Sequence, residues 1–144
     1  MSVETIEFVD LEKALSRKHV SFRDFFASEV GKVYVVCISR DGCPVCVKQK
    51  LKVDRLAKAL AGKYGGKVVF ARVHVKYSPE RNEESLRSKD VFGHYFYPTN
   101  LVLVRSRDQG AVEFYRVSSP RMSELERNIR SAVEVAKMFE EESH

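Results

Sequence analysis

Residues 33–46 read Val33-Tyr34-Val35-Val36-Cys37-Ile38-Ser39-Arg40-Asp41-Gly42-Cys43-Pro44-Val45-Cys46. The first six form a short, β-branched, unbroken apolar run, the pattern of a central strand buried on both faces. A polar bend follows. From Pro44 the pattern turns helical through Leu51, Leu56 and Leu60 and stops near Gly65-Gly66. A Cys-x-x-Cys at such a strand-to-helix junction puts its first sulfur at a helix N-terminus, where unpaired amide N–H groups and the helix dipole favour thiolate over thiol. Cys43 is therefore the expected nucleophile. Cys46 lies one turn on and on the same face, placed to resolve a mixed disulfide. Pro44 suits the first helical turn, which does not need its missing N–H.

Outward from this stretch the chain alternates between strand and helix patterns. Residues 5–9 alternate loosely and read as a short edge strand. Residues 11–14 and 21–30 read as helical, with Ser21 as N-cap, Phe22, Phe25 and Phe26 at helical spacing facing a core, and Gly31 as the stop. A second buried strand is expected over 68–75. The charged segment 78–94 reads as a loop carrying a short helix at about 79–89. Strands at 100–104 and 112–117 flank the turn Asp108-Gln109-Gly110 as a β-hairpin. The last helix is expected to open with Ser119 as N-cap and Pro120 at its first position, placing Met122, Leu125, Ile129, Val133, Ala136 and Phe139 on one core-facing side.

At 144 residues and 44% hydrophobic, the chain has the size of one domain with one real core, and residues 1–144 are read as a single domain. The apolar runs are strand length, well short of the roughly 20 residues a membrane span requires. Residues 1–10 carry acids where a secretory signal would carry a basic region and an apolar stretch, so a cytoplasmic location is expected. The net charge of +5 is spread along the chain and interleaved with Glu. A solvated mixed-charge surface, with no specific nucleic-acid partner, is the expectation. Lys48, Lys50 and Lys52 alternate in a helix, cannot share one face, and read as part of that surface.

Three features together resemble the thioredoxin superfamily: the strand of residues 33–38 feeding Cys43-Pro44-Val45-Cys46, the following helix and the strand Lys67-Val68-Val69-Phe70-Ala71-Arg72-Val73, and Tyr97-Pro98-Thr99 leading into Leu101-Val102-Leu103-Val104. The resemblance covers the chain from about Val33 to its end. It implies an α/β thioredoxin fold, a central mixed sheet with helices on both faces. It also implies a cis bond at Tyr97-Pro98, opposite the cysteines, with Tyr97 presenting the backbone that pairs with substrate. On this reading Cys43 and Cys46 are catalytic, and Pro44, Val45, Tyr97, Pro98 and Thr99 bind substrate. The activity implied is thiol–disulfide exchange with protein disulfides or dithiols. A reductase would be a further partner, and no organic cofactor or metal is required.

The chain departs from the family pattern in ways that keep alternatives open. Six residues before Cys43, where thioredoxins carry a buried acid, stands Cys37. Ser39 and Gly42 occupy positions usually held by tryptophan, the helix after Cys46 lacks the usual proline, and the Pro-x pair between the cysteines is similar to that of glutaredoxins. A redox-inactive or redox-sensing adaptor domain is the alternative from another class. A zinc site would need Cys37 with His74 or His94, and a shared iron–sulfur cluster rests on analogy with glutaredoxins. Cys37 reads as a small buried hydrophobe and His74 as structural, with His94 the better candidate for a functional histidine. Direction of exchange, electron donor and oligomeric state are not legible.

Overall fold

The computed structural model describes residues 3–142. Met1 and Ser2, which open the acidic N-terminal stretch, lie outside them. The order of elements is β1 (Glu4–Glu7), α1 (Phe8–Lys18), α2 (Phe22–Phe26), β2 (Val33–Arg40), α3 (Pro44–Tyr64), β3 (Val68–Val75), α4 (Glu83–Phe92), β4 (Thr99–Arg105), β5 (Ala111–Ser118) and α5 (Met122–Glu141). The five strands form one mixed sheet in the order β1-β3-β2-β4-β5. β2 is its middle strand, parallel to β3 and antiparallel to β4, and β4 and β5 make the expected hairpin.

The pleat of β2 explains why its apolar run is continuous. Val33, Val35 and Cys37 face one core with Val53, Leu56 and Leu60 of α3 and Leu125 and Ile129 of α5. Tyr34, Val36 and Ile38 face a second core with Phe8, Leu11, Phe22 and Phe92 of the helices α1, α2 and α4. Helices therefore cover both faces of the sheet, and a strand in its middle has no polar side to show. Among the described residues no helix is long and apolar enough to cross a membrane.

Several element boundaries differ from the sequence-based expectation, each for a local reason. β1 ends at Glu7 because Phe8, Leu11 and Ala14 take up helical spacing, and all three are buried along α1. Ser21 does cap α2, accepting the Asp24 N–H at 3.2 Å, but the helix stops at Phe26, well before Gly31. Ala27 leaves helical geometry, and the Glu29 N–H donates instead to the Tyr34 hydroxyl at 3.1 Å. Phe22 is buried, whereas Phe25 and Phe26 are only partly so. Leu51 is exposed on α3, and that helix buries Gln49 and Val53 in its place. α4 starts at Glu83 because reciprocal backbone hydrogen bonds between Ser78 and Arg81, both 3.1 Å, hold the preceding residues in a turn.

The start of α5 also moves. Ser119 has a left-handed backbone, with φ of 47°, and its N–H donates to the Pro98 carbonyl at 3.0 Å. A left-handed backbone is not the extended one an N-cap needs, and the helix opens at Met122 after Arg121. The face predicted for α5 does bury Leu125, Ile129, Val133 and Ala136.

Candidate active site

β2 delivers the chain to the end of the sheet, Gly42 turns it with φ of 64°, and Cys43 caps α3. The Cys43 and Cys46 sulfurs are 2.32 Å apart as a disulfide, with Cα atoms separated by 5.2 Å. The Cys46 N–H donates to Cys43 Sγ at 3.2 Å, so the first sulfur occupies the acceptor position that an N-cap oxygen would fill. Each cysteine is only 7% exposed, while Pro44 and Val45 between them are exposed.

The antiparallel register pairs Ile38 with Thr99. This places the chain just before β4 beside the exit from β2. The Tyr97–Pro98 bond there is cis. Tyr97 is half-buried, and its hydroxyl hydrogen-bonds Ser85 on α4 at 3.0 Å. Pro98 and Thr99 are buried, and the Thr99 hydroxyl is spent within the fold, donating to the Phe96 carbonyl at 2.7 Å and lying 3.0 Å from Ser118 Oγ. His94 packs edge-on to Tyr97 with ring centroids 4.7 Å apart. Its Nδ1–H donates to the Phe96 carbonyl and its Nε2 accepts from Ser88, both at 3.0 Å. Burial, set against the hydrogen bond to Phe96, holds its pKa below the usual histidine value. A neutral ring in that tautomer braces the loop, and neither nitrogen is left for chemistry.

No protein-family model matches the sequence, and no curated protein does. Solved thioredoxins do match its structure. That of Fasciola hepatica is 20% identical, with a TM-score of 0.55 over 90% of this chain and 98% of its own. Thioredoxin f from spinach chloroplast is 17% identical, with a TM-score of 0.59 over 91% and 93%. The Trichomonas vaginalis thioredoxin is 13% identical, with a TM-score of 0.60 over 90% and 96%. The chain has the thioredoxin fold.

Within this thioredoxin fold, the surroundings of the disulfide hold groups that sequence reading passed over. Gln49, one turn below Cys46, exchanges two amide hydrogen bonds with Asn100 of β4, at 3.1 and 3.3 Å, and both residues are buried. Their only forewarning is polar residues on otherwise apolar element faces. Asn100→Ala strands the Gln49 amide in the core and is expected to cost about 1–3 kcal/mol, read from urea unfolding. Next to Asn100 in the sheet is Cys37. Its burial pushes the thiol up to about 12, with Arg72 pulling the other way, so it is a neutral packing group in this environment. Arg72, its neighbour on β3, pairs with Asp54 of α3 at 3.0 Å.

His74, opposite Ser39 on β3, is held from both sides. Glu7 Oε1 is 2.8 Å from Nδ1 and Asp41 Oδ1 is 2.7 Å from Nε2, while the other Asp41 oxygen accepts the Tyr77 N–H. Partial burial disfavours the charged ring, but the hydrogen bonds to Glu7 and Asp41 outweigh it and raise its pKa above the ordinary 6.5. The bond from His74 lowers that of Asp41, against a smaller effect of burial. With a raised histidine pKa, the clamp stabilises fully below about pH 6.5 and is lost as pH rises through the folded value. The lowered Asp41 pKa adds a loss as pH falls into the carboxylate range. We expect wild type to lose about 1 kcal/mol between roughly pH 6 and pH 9, a low figure because both carboxylates are exposed to screening, and His74→Gln to flatten that slope in urea titrations.

Among the described residues no cluster of His, Cys, Asp or Glu is arranged to hold a metal ion. The two carboxylates of the clamp lie on opposite nitrogens of one ring, and His94 is committed to Ser88 and Phe96. His74 and His94, on which a zinc site with Cys37 would have drawn, thus each have both ring nitrogens engaged elsewhere.

Proposed function

We propose that the chain is a thiol–disulfide oxidoreductase acting on protein partners through Cys43 and Cys46. The observation that carries this reading is the Cys43–Cys46 disulfide at the cap of α3, with the Cys46 N–H on Cys43 Sγ. When the pair is reduced, the same N–H and the helix N-terminus favour a thiolate on Cys43. That thiolate attacks one sulfur of a partner disulfide, the partner S–S bond breaks, and one partner thiol leaves. Cys46 then attacks Cys43 Sγ in the mixed disulfide and releases the second partner thiol. Two electrons pass to the partner, and Cys43–Cys46 ends oxidised. An external dithiol or a reductase restores it. Thioredoxin f2, whose structure is known in complex with ferredoxin:thioredoxin reductase, is a fold neighbour with such a partner.

In this scheme the exposed Pro44 and Val45 meet the partner first, and Tyr97 and the cis-Pro98 peptide line its approach. Thr99 acts through the loop it braces. The setting proposed is cytoplasmic, in one domain without a cofactor. An adaptor that keeps its disulfide closed is the second reading, favoured by the low exposure of both cysteines and by a neutral Cys37 on the strand that leads to them.

The two readings separate on the reduced protein. Alkylation by iodoacetamide across pH, read by peptide mass spectrometry, is expected to modify Cys43 well below the pH at which a free cysteine reacts and Cys46 far more slowly. Equal reaction of both thiols at the pH of free cysteine would remove the exchange reading.

A further inference from the structure

A groove of about 370 Å³ opens on the Cys46 side of the disulfide, between the start of α3 and strands β1 and β3. Its rim carries Arg40, Gly42, Val47 and Lys50, and its floor reaches Cys46 and Arg72. The charges here are unevenly committed. Asp41, the one acid lining the groove, has its oxygens on His74 and on the Tyr77 N–H. Behind it, Glu7 is held by His74 and Asp54 by Arg72. Among the described residues neither Arg40 nor Lys50 has an acidic partner.

Arg40 is also fixed in place. Its guanidinium stacks on Tyr77 at 3.9 Å from the ring centroid, lies 5.5 Å from that of Tyr97, and donates from Nη1 to the Asp41 carbonyl at 2.9 Å. The same Nη1 is 3.8 Å from where a Cβ on Gly42 would lie, which puts the charge against the residue before Cys43. A cation already immobilised forfeits little side-chain entropy when an anion arrives. Val47, 70% exposed, adds an apolar lip next to Lys50.

We propose that this groove is a docking site for carboxylate side chains flanking the disulfide of a protein partner, with Arg40 and Lys50 as the recognising cations. The inference builds on the exchange reading by naming its substrate class, acidic protein segments. Lys52 provides the internal control, because it lines a separate groove with Val45, Ser119 and Met122 on the other side of α3.

The test uses the oxidised full chain at low salt and two labelled peptides of equal length, one with Asp and Glu around a central Ser and one with Asn and Gln in their place. Fluorescence anisotropy is expected to show the acidic peptide binding about fivefold more tightly, the effect of two solvent-screened ion pairs. That advantage is expected to disappear in Arg40→Gln and Lys50→Gln and to persist in Lys52→Gln. Amide shifts on titration are expected at Ser39, Gly42 and Val47. Equal affinity for the two peptides, or an equal loss in Lys52→Gln, would overturn the proposal, since the latter would mark diffuse net charge. Cystine versions of both peptides, given to the chain reduced by dithiothreitol as electron source, keep the two readings apart. Selective binding without turnover supports the groove and removes exchange, whereas turnover of both at the same kcat/KM supports exchange and overturns the groove.

Discussion

Cys46→Ser is expected to accumulate a stable mixed disulfide through Cys43 when the reduced variant meets a disulfide-bearing protein, and its steady-state turnover to fall by at least about a hundredfold. The reason is the division of labour set by α3. Cys43 caps the helix and receives the Cys46 N–H, a position that favours its thiolate, whereas Cys46 lies within the first turn and its own sulfur receives no such bond among the described residues. Removing the resolving sulfur leaves the first attack intact and blocks the second. Cys43→Ser is expected to lose turnover to at least the same degree and to trap nothing. Non-reducing electrophoresis and intact-protein mass spectrometry read both results. Equal trapping by the two variants would show that the cysteines are interchangeable, and the assignment of roles would fail.

The largest stability effect is expected at Phe92, the last residue of α4. Its ring is 1% exposed and lies 4.8 Å from that of Phe22 on α2 and 6.2 Å from that of Phe8 on α1. The same ring is 6.2 Å from His94, and the Phe92 carbonyl accepts from Arg116 Nη2 at 2.7 Å. One side chain thus joins three helices on one face of the sheet to the loop that holds Tyr97 and Pro98. Phe92→Ala removes that burial and leaves a cavity that close-packed neighbours refill only in part, at a cost of about 3–5 kcal/mol. Calorimetry is expected to show Tm falling by about 6–20 °C, given roughly 2–4 °C per kcal/mol at this chain size. Leu86→Ala is the control on the same helix. Leu86 is 53% exposed, and its loss is expected to stay within about 0.5 kcal/mol. A Phe92→Ala protein as stable as that control would mean that this second core is not closed as described.

The parts legible in the sequence are those where one physical pattern dominates. β2 is flanked by helices on both faces, so its apolar run is unbroken, and the span expected for β3 matches the structure. The junction that places Cys43 at a helix N-terminus is equally local, since strand, bend and helix follow one another within a few residues. Boundaries failed where distant groups decide them. α2 stops early because the Tyr34 hydroxyl takes the Glu29 N–H, and α5 starts late because Ser119, bonded through its N–H to Pro98, has a left-handed backbone unsuited to an N-cap. In both cases the competing partner comes from another element.

Long-range pairing also hid much of the candidate site. The Gln49–Asn100 amide pair spans 51 residues, and the Glu7–His74–Asp41 clamp draws on β1, β3 and the bend before Cys43. Arg40 was visible as a charge, but its stacking on Tyr77 depends on the path of the chain after β3. Lys50 read as ordinary solvated surface because spacing along a helix shows which residues share a face and is silent about which acids nearby are already engaged. His94 was the better functional candidate by its proximity to Pro98. Its two engaged nitrogens make it a brace.

Disulfide exchange at the cap of α3 is tested most directly by the reduction of insulin disulfides with dithiothreitol. Wild type is compared with Cys43→Ser/Cys46→Ser at matched concentration, with circular dichroism verifying that both are folded. Wild type is expected to accelerate insulin precipitation severalfold or more, and the double variant to leave the rate at that of dithiothreitol alone. Equal rates with and without folded, fully reduced wild-type protein would contradict exchange at this site.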